Sequence, residues 1–243
     1  MGYTKSPIGL KSYDWSSMTL LADLNTKAIT GCKKTIEARR EHFWHDMNSE
    51  FDSKHFLLYL MRRSDLTLSD DFLEFACLWH LDEQNHYRGL RKINSVLYGI
   101  PESKIDEFVA SRQPDFTSID QFLIDEFSIL LSIAFDEVTS TRAYRQDFPL
   151  FDSLGPRCLS VWVRNAAKDE AAHYGNAIRL LKLSHRRRFN ELPALLDRIV
   201  NFETAKDFAY HSTFLFDHDT DDFSQALLAS SRCAILDTLR SDL

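Results

Sequence analysis

Residues 79–86 read Trp-His-Leu-Asp-Glu-Gln-Asn-His, and residues 169–173 read Asp-Glu-Ala-Ala-His. Each stretch places a glutamate three residues before a histidine: Glu83 with His86, and Glu170 with His173. Residues three apart share a helix face, so both side chains of a pair can reach a single ion. In both cases that face is otherwise apolar. Phe72, Ala76, Trp79, Glu83, His86, Leu90, Ile93 and Leu97 recur at steps of three and four, as do Leu159, Val163, Ala166, Glu170, His173, Ala177 and Leu180. Burying a carboxylate and an imidazole without a partner costs on the order of several kcal/mol. A divalent cation compensates both; a buried ion-pair network without metal is the alternative.

The helices that carry these pairs have readable ends. Ser69 is a fitting N-cap for a helix from Asp70 to Tyr98, with Asp70 and Asp71 in its first turn. Gly99 suits its C-terminal cap, and Pro101 cannot continue it. The second pair lies on a helix predicted from Arg157 to His185. A first helix is predicted from Ala28 to Arg63, ended by Ser64–Asp70, and a third from Ser118 to Asp147, ended by residues 148–156. The stripe of the third is Phe122, Glu126, Ile129, Ile133, Glu137, Thr141 and Tyr144. Residues 101–117 hold a short helix within a crossover connection. Two or three more helices fill residues 191–243, broken near Phe216–Asp222.

Spacing supplies the remaining ligands. In the ferritin-like sites that these two pairs resemble, each Glu-x-x-His helix is preceded by an antiparallel helix that gives one more glutamate. That glutamate must lie level with the pair, so the loop falls midway between them. Glu137 and Glu170 are 33 residues apart, with the midpoint inside the 148–156 break; Glu50 and Glu83 are also 33 apart, with the midpoint inside Ser64–Asp70. The offset between halves is 87 residues for Glu50 to Glu137, Glu83 to Glu170 and His86 to His173. Glu37 and Glu41 fail the test, because their midpoints with Glu83 fall inside the first helix. Glu126 stands three turns from Glu137, about 16 Å along the axis, and reads as a polar residue near a bundle end. Asp82 and Asp169 precede the two motif glutamates. Each is one turn before its own histidine, His86 or His173, and can hold the imidazole nitrogen that faces away from a metal. Four carboxylates and two histidines suit two irons, or manganese, better than four-coordinate zinc.

Composition narrows the class. The 243 residues carry 29 Lys and Arg against 36 Asp and Glu, a net charge of −7 that argues against a general nucleic-acid binder. Only 7 Gly and 6 Pro favour helices over a sandwich or barrel. No apolar run reaches the ~18 residues of a membrane span, and residues 1–15 lack an apolar signal core. Cys32, Cys77, Cys158 and Cys233 are far apart and read as buried free thiols of a reducing cytosol. A single all-α domain in the cytoplasm is expected: an irregular arm over residues 1–27, a four-helix bundle over 28–185, and accessory helices over 186–243.

The order Glu50, Glu83-x-x-His86, Glu137, Glu170-x-x-His173 resembles the ferritin-like di-iron carboxylate superfamily. Within it, residues 79–86 look most like soluble acyl-carrier-protein desaturases, which have an aromatic residue, paired acidic residues, Asn and His in the same stretch. Asp169–His173 is similar to their second motif but lacks its basic residues between Glu and His. The resemblance implies a di-iron enzyme that takes dioxygen as co-substrate and electrons from a ferredoxin-like donor protein. It implies that Glu50 and Glu137 are terminal ligands, that Glu83 and Glu170 bridge or chelate, and that His86 and His173 bind one iron each. It also implies a threonine near bound dioxygen. Thr141, one turn after Glu137, fits, with Thr139 and Ser140 as rivals and a plain hydrogen bond to the helix backbone as the alternative.

The implied substrate is an unactivated C–H compound, an acyl chain on acyl-carrier protein above others or a free small molecule, and a homodimer is common in such families. Arg62–Arg63, Lys33–Lys34 with Arg39–Arg40, and Arg186–Arg188 are candidate docking surfaces for that acidic carrier. The 18 Phe offer material for an acyl tunnel as well as for an ordinary core. An arylamine N-oxygenase of the superfamily adds a histidine one turn before the last glutamate, where this chain has Ala166. A tRNA hydroxylase needs a broad basic surface. Iron storage is the rival outside enzymes, and the C-terminal residues beyond the bundle are unexpected there.

Overall fold

The computed structural model describes residues 8–205, 214–216 and 225–240. It is helical throughout, with no strand among the described residues. The helices are α1 (Ser17–Leu20), α2 (Lys33–Ala38), α3 (Arg40–Arg62), α4 (Asp70–Tyr98), α5 (Glu102–Ala110), α6 (Glu126–Gln146), α7 (Phe148–Ser153), α8 (Arg157–Ser184), α9 (Leu192–Glu203) and α10 (Gln225–Arg240). The long helices α3 and α4 form one hairpin, and α6 and α8 the other. This is a four-helix bundle of the ferritin-like kind with added C-terminal helices, α10 packing on α6, α8 and α9.

The ends of α4 follow from its sequence. The Ser69 hydroxyl accepts the Phe72 N–H at 3.1 Å, and Gly99 takes the left-handed conformation (φ 66°) that a side chain disfavours. Two other predicted starts are displaced. The first bundle helix begins at Arg40, not Ala28. Upstream, Thr30 donates its N–H to the Leu154 carbonyl at 3.0 Å, and a Cβ on Gly31 would meet Leu154 Cα at 3.2 Å. Docking against the α7–α8 turn keeps residues 30–31 out of the helix, and a break at Arg39 (φ −105°, ψ 10°) separates the short α2 from α3. The third begins at Glu126, not Ser118, because Asp125 and Ser128 cap it reciprocally: Ser128 N–H to Asp125 Oδ1 at 2.9 Å, and Asp125 N–H to Ser128 Oγ at 3.1 Å. The break over residues 148–156 holds the short α7, with Pro149 in its first turn. Near the expected C-terminal break, Phe216 is buried, and Asp217–Asp222 lie outside the described residues.

The arm is more than a tail. Leu10 is fully buried, and Ser17 ties α4 to α8: its N–H reaches Asn85 Oδ1 at 2.8 Å, and its hydroxyl accepts Trp162 Nε1–H at 2.9 Å. Gly89 of α4 leaves the space for that contact, since a Cβ there would lie 1.9 Å from Trp162 Nε1.

The apolar core falls into two parts. One gathers Phe56, Phe72, Phe127, Phe135, Leu181 and the C-terminal helices; the other gathers Phe43, Met47, Leu90, Tyr144 and Trp162. Along all four long helices the boundary falls at the predicted polar residues. Most phenylalanines pack within these cores. The cysteines depart from expectation: Cys32, Cys77 and Cys233 are exposed and Cys158 half-buried, because they lie off the core-facing stripes. Among the described residues no helix is long and apolar enough to cross a membrane.

Candidate metal centre

Between the two apolar halves lies a layer of ionisable side chains. Glu50 comes from α3, Glu83 and His86 from α4, Glu137 from α6, and Glu170 and His173 from α8; none is more than 7% exposed. Ligand atoms of Glu50, Glu83, His86 and Glu170 lie within 4.8 Å of one another, and so do those of Glu83, Glu137, Glu170 and His173. Glu83 and Glu170 belong to both groups. Glu170 reaches both imidazoles, Oε1 at 3.2 Å from His86 Nδ1 and Oε2 at 3.5 Å from His173 Nδ1. Glu50 Oε2 is 3.4 Å from His86 Nδ1; Glu83 Oε1 and Glu137 Oε2 are 3.1 and 3.2 Å from His173 Nδ1.

Three of these atoms are buried without a hydrogen bond: Glu50 Oε2, Glu83 Oε1 and His86 Nδ1. Orphaned polar atoms are rare in folded proteins and costly where they occur. Here they converge on one another within the buried carboxylate–histidine layer, an arrangement that suits a cation. The residues fit a pair of metal ions.

The far imidazole nitrogens are held from outside the layer, but not as the sequence suggested. Asp169 Oδ2 accepts from His86 Nε2 at 3.0 Å, and Asp82 Oδ2 from His173 Nε2 at 3.2 Å. Each aspartate serves the histidine of the other helix, not its own. α4 and α8 run antiparallel here, so residue 82 is level with 173 and residue 169 with 86. An imidazole aimed at the bundle axis carries its far nitrogen across to the neighbour. A carboxylate partner fixes the proton on Nε2 and leaves Nδ1 free to bind metal.

Three aromatic donors complete the surround, and sequence reasoning missed their roles. Trp79 Nε1–H donates to Glu137 Oε1 at 2.7 Å, Trp15 Nε1–H to Asp169 Oδ2 at 2.6 Å, and the Tyr144 hydroxyl to Glu50 Oε1. Trp79 and Tyr144 stood on the predicted stripes, where an aromatic reads as core. The hydroxyl of Thr141 donates to the Glu137 carbonyl at 2.8 Å, and that of Thr139 to the Phe135 carbonyl at 2.7 Å. Glu126 sits at the start of α6, against His185 at 3.1 Å.

Burial opposes the charge of His86, yet Glu50, Asp169 and Glu170 together outweigh it and hold its pKa well above the ordinary value. His173 is raised against burial by Glu137, Asp82 and Glu170. Burial, with the charges of Glu50 and Glu170, pushes Glu83 well up; burial and Glu170 do the same to Glu137. Glu170 goes the other way, because bonds from Glu137, His173 and His86 outweigh its burial.

A third group, His42, Asp46 and Asp147, lies at the surface end of α3, where His42 Nε2 pairs with Asp147 at 2.8 Å. Of the basic runs, Arg40 pairs with Glu37, Arg63 with Asp65 and Asp120, and Arg188 with Asp125 and Glu191.

The chain matches no protein-family model, and no curated protein or solved structure is significantly similar to it. The geometry itself supplies the classification: a helical bundle whose buried carboxylate–histidine clusters can hold a metal pair, compatible with the ferritin-like di-iron fold.

Proposed function

We propose that this protein is a non-haem di-iron oxidase or oxygenase, taking electrons from a ferredoxin-like donor to desaturate or hydroxylate an unactivated C–H bond. An acyl chain carried on acyl-carrier protein is the favoured substrate. The observation that carries the proposal is the position of Glu170 between two imidazoles, with Glu83 also common to both groups. Shared carboxylates with one histidine and one terminal glutamate on each side are the donor set of two ions, not one. Oxygen-rich donors with two imidazoles favour iron or manganese over zinc.

When bound, a ferrous pair supplies electrons and open positions for dioxygen, and with them the oxidising power that a C–H bond demands. The protein's own groups do the rest. Asp82 and Asp169 hold His173 and His86 in the tautomer that presents Nδ1. Trp79 and Tyr144 fix Glu137 and Glu50 in one orientation each. The apolar clusters on both sides exclude water, which protects a strong oxidant from being spent on solvent. Either outcome uses one dioxygen, two electrons and two protons: desaturation releases two waters, hydroxylation one water and an alcohol. Packing of α10 on α6 and α8 supports a covered substrate site rather than a face open for assembly into a storage shell.

The test is elemental analysis after anaerobic ferrous loading, on the wild type and on the Glu83→Ala, Glu170→Ala double variant. About two irons per chain, lost in the variant, is the expected result. Oxygen-dependent conversion of acyl-carrier-protein thioesters with reduced ferredoxin then establishes the activity. No stoichiometric iron or manganese in the wild type would sink the proposal.

A further inference from the structure

We propose that a cavity on the outer face of α8 is a binding site for a phosphorylated small molecule. The cavity measures about 540 Å³ and is edged by four cations, Lys11, Arg145, Arg164 and Lys168, with no carboxylate in its lining. Its size falls in the range of about 300–1,000 Å³ typical of small-molecule sites. The site shares a helix with the metal centre but none of its ligands. α8 turns Asp169, Glu170 and His173 inward and Lys168 and Ala171 outward.

The charge distribution points to the ligand. In a chain of net charge −7, a gathering of four cations, three of them without an acidic partner among the described residues, needs a reason. Arg164 is already fixed, bonded twice to Asp152 at 2.8 Å and stacked 4.7 Å over the Phe148 ring. Lys11, Arg145 and Lys168 have no acidic partner among the described residues. The C-terminal end of α6 accounts for Arg145, since cations are favoured there. It does not account for Lys168 in the middle of α8, or for Lys11 on the arm. A dense, multiply charged anion satisfies several such cations at once, and guanidinium and ammonium donors both match phosphate oxygens. The room for it comes from small residues. Ala167 and Ala171 form the wall.

The experiment is calorimetric titration of the full chain with inorganic pyrophosphate at low ionic strength. Saturable single-site binding is expected in the wild type. Lys168→Glu, a change on an exposed side chain, should weaken it by about tenfold or more. Ala171→Leu leaves every charge in place but fills the cavity, and should weaken it as much. Both variants should keep wild-type melting temperature and iron loading, so that failure here is separable from failure of the metal centre. Absence of saturable binding in the wild type overturns the proposal. So does wild-type affinity in folded Ala171→Leu, which would assign the attraction to diffuse surface charge.

Discussion

Asp169 of α8 holds His86 of α4, with Oδ2 at 3.0 Å from Nε2, and so ties one half of the bundle to the ligand of the other. The reciprocal bond from Asp82 to His173 makes the centre a cross-braced unit. Asp169→Asn preserves shape but loses the carboxylate that sets the tautomer. Metal affinity should fall by roughly 10–100-fold, as for other partners of metal-bound histidines. The crossed geometry adds a sharper expectation. Paramagnetic NMR of the iron-loaded variant should show the His86 resonances displaced and those of His173, four residues from the change, close to wild type.

Removing the Tyr144 hydroxyl tests the other bracket. Tyr144→Phe leaves Glu50 Oε1 buried without its donor, beside an Oε2 that already lacks one. A cost of about 1–3 kcal/mol is expected in urea unfolding of the metal-free protein. Loading with manganese should recover part of it, because the ion takes over the orphaned carboxylate.

The metal-free protein should lose stability as pH rises. Glu83 and Glu137 have folded pKa values raised above 4.5, and His86 and His173 above 6.5. A raised folded pKa stabilises fully below the unfolded value and is lost as pH climbs through the folded one. The carboxyl contribution therefore begins to fade above 4.5 and the imidazole contribution above 6.5. Glu170, lowered, acts oppositely and matters only on the acid side of 4.5. Urea midpoints across pH 5–9 check this, and a rising midpoint would contradict it. Loading near neutral pH should release protons, visible with an indicator dye in weak buffer.

Gly89→Ala sets two effects against each other. Alanine in a helix interior is worth about 1 kcal/mol over glycine. Against that, the added methyl would stand 1.9 Å from Trp162 Nε1 and 2.8 Å from Ser17 Oγ, with a buried indole that cannot swing away. Overpacking of this kind costs about 1–3 kcal/mol. The clash should win, and thermal unfolding should show a lower melting temperature.

The six layer residues were legible because two constraints coincide on them: helical period puts them on the core stripe, and hairpin symmetry puts them level. The limits of α4 were legible from Ser69 and Gly99, whose chemistry is local. What escaped was decided at a distance. That residues 30–31 stay out of the first helix depends on Leu154 holding Thr30, and the partner of each aspartate on which helix stands alongside. Trp79 and Tyr144 carry both an apolar body and a polar edge, and a periodic pattern registers only the first. The arm, with few apolar residues, gave no sign that Trp15 and Ser17 reach positions 169 and 162.

That reach has a consequence for how the molecule comes into being. Trp15 meets Asp169 across 154 positions of chain, and Ser17 meets Trp162 across 145. Contacts so remote in sequence close late, after the loop entropy between them has been overcome by everything nearer. The segment around Trp15 and Ser17 is thus among the last to find its place. Until it does, Asp169 lacks the indole that steadies its grip on His86. Completion of the surround of the carboxylate–histidine layer is thereby timed to the end of folding, after the helices that carry the layer have already met.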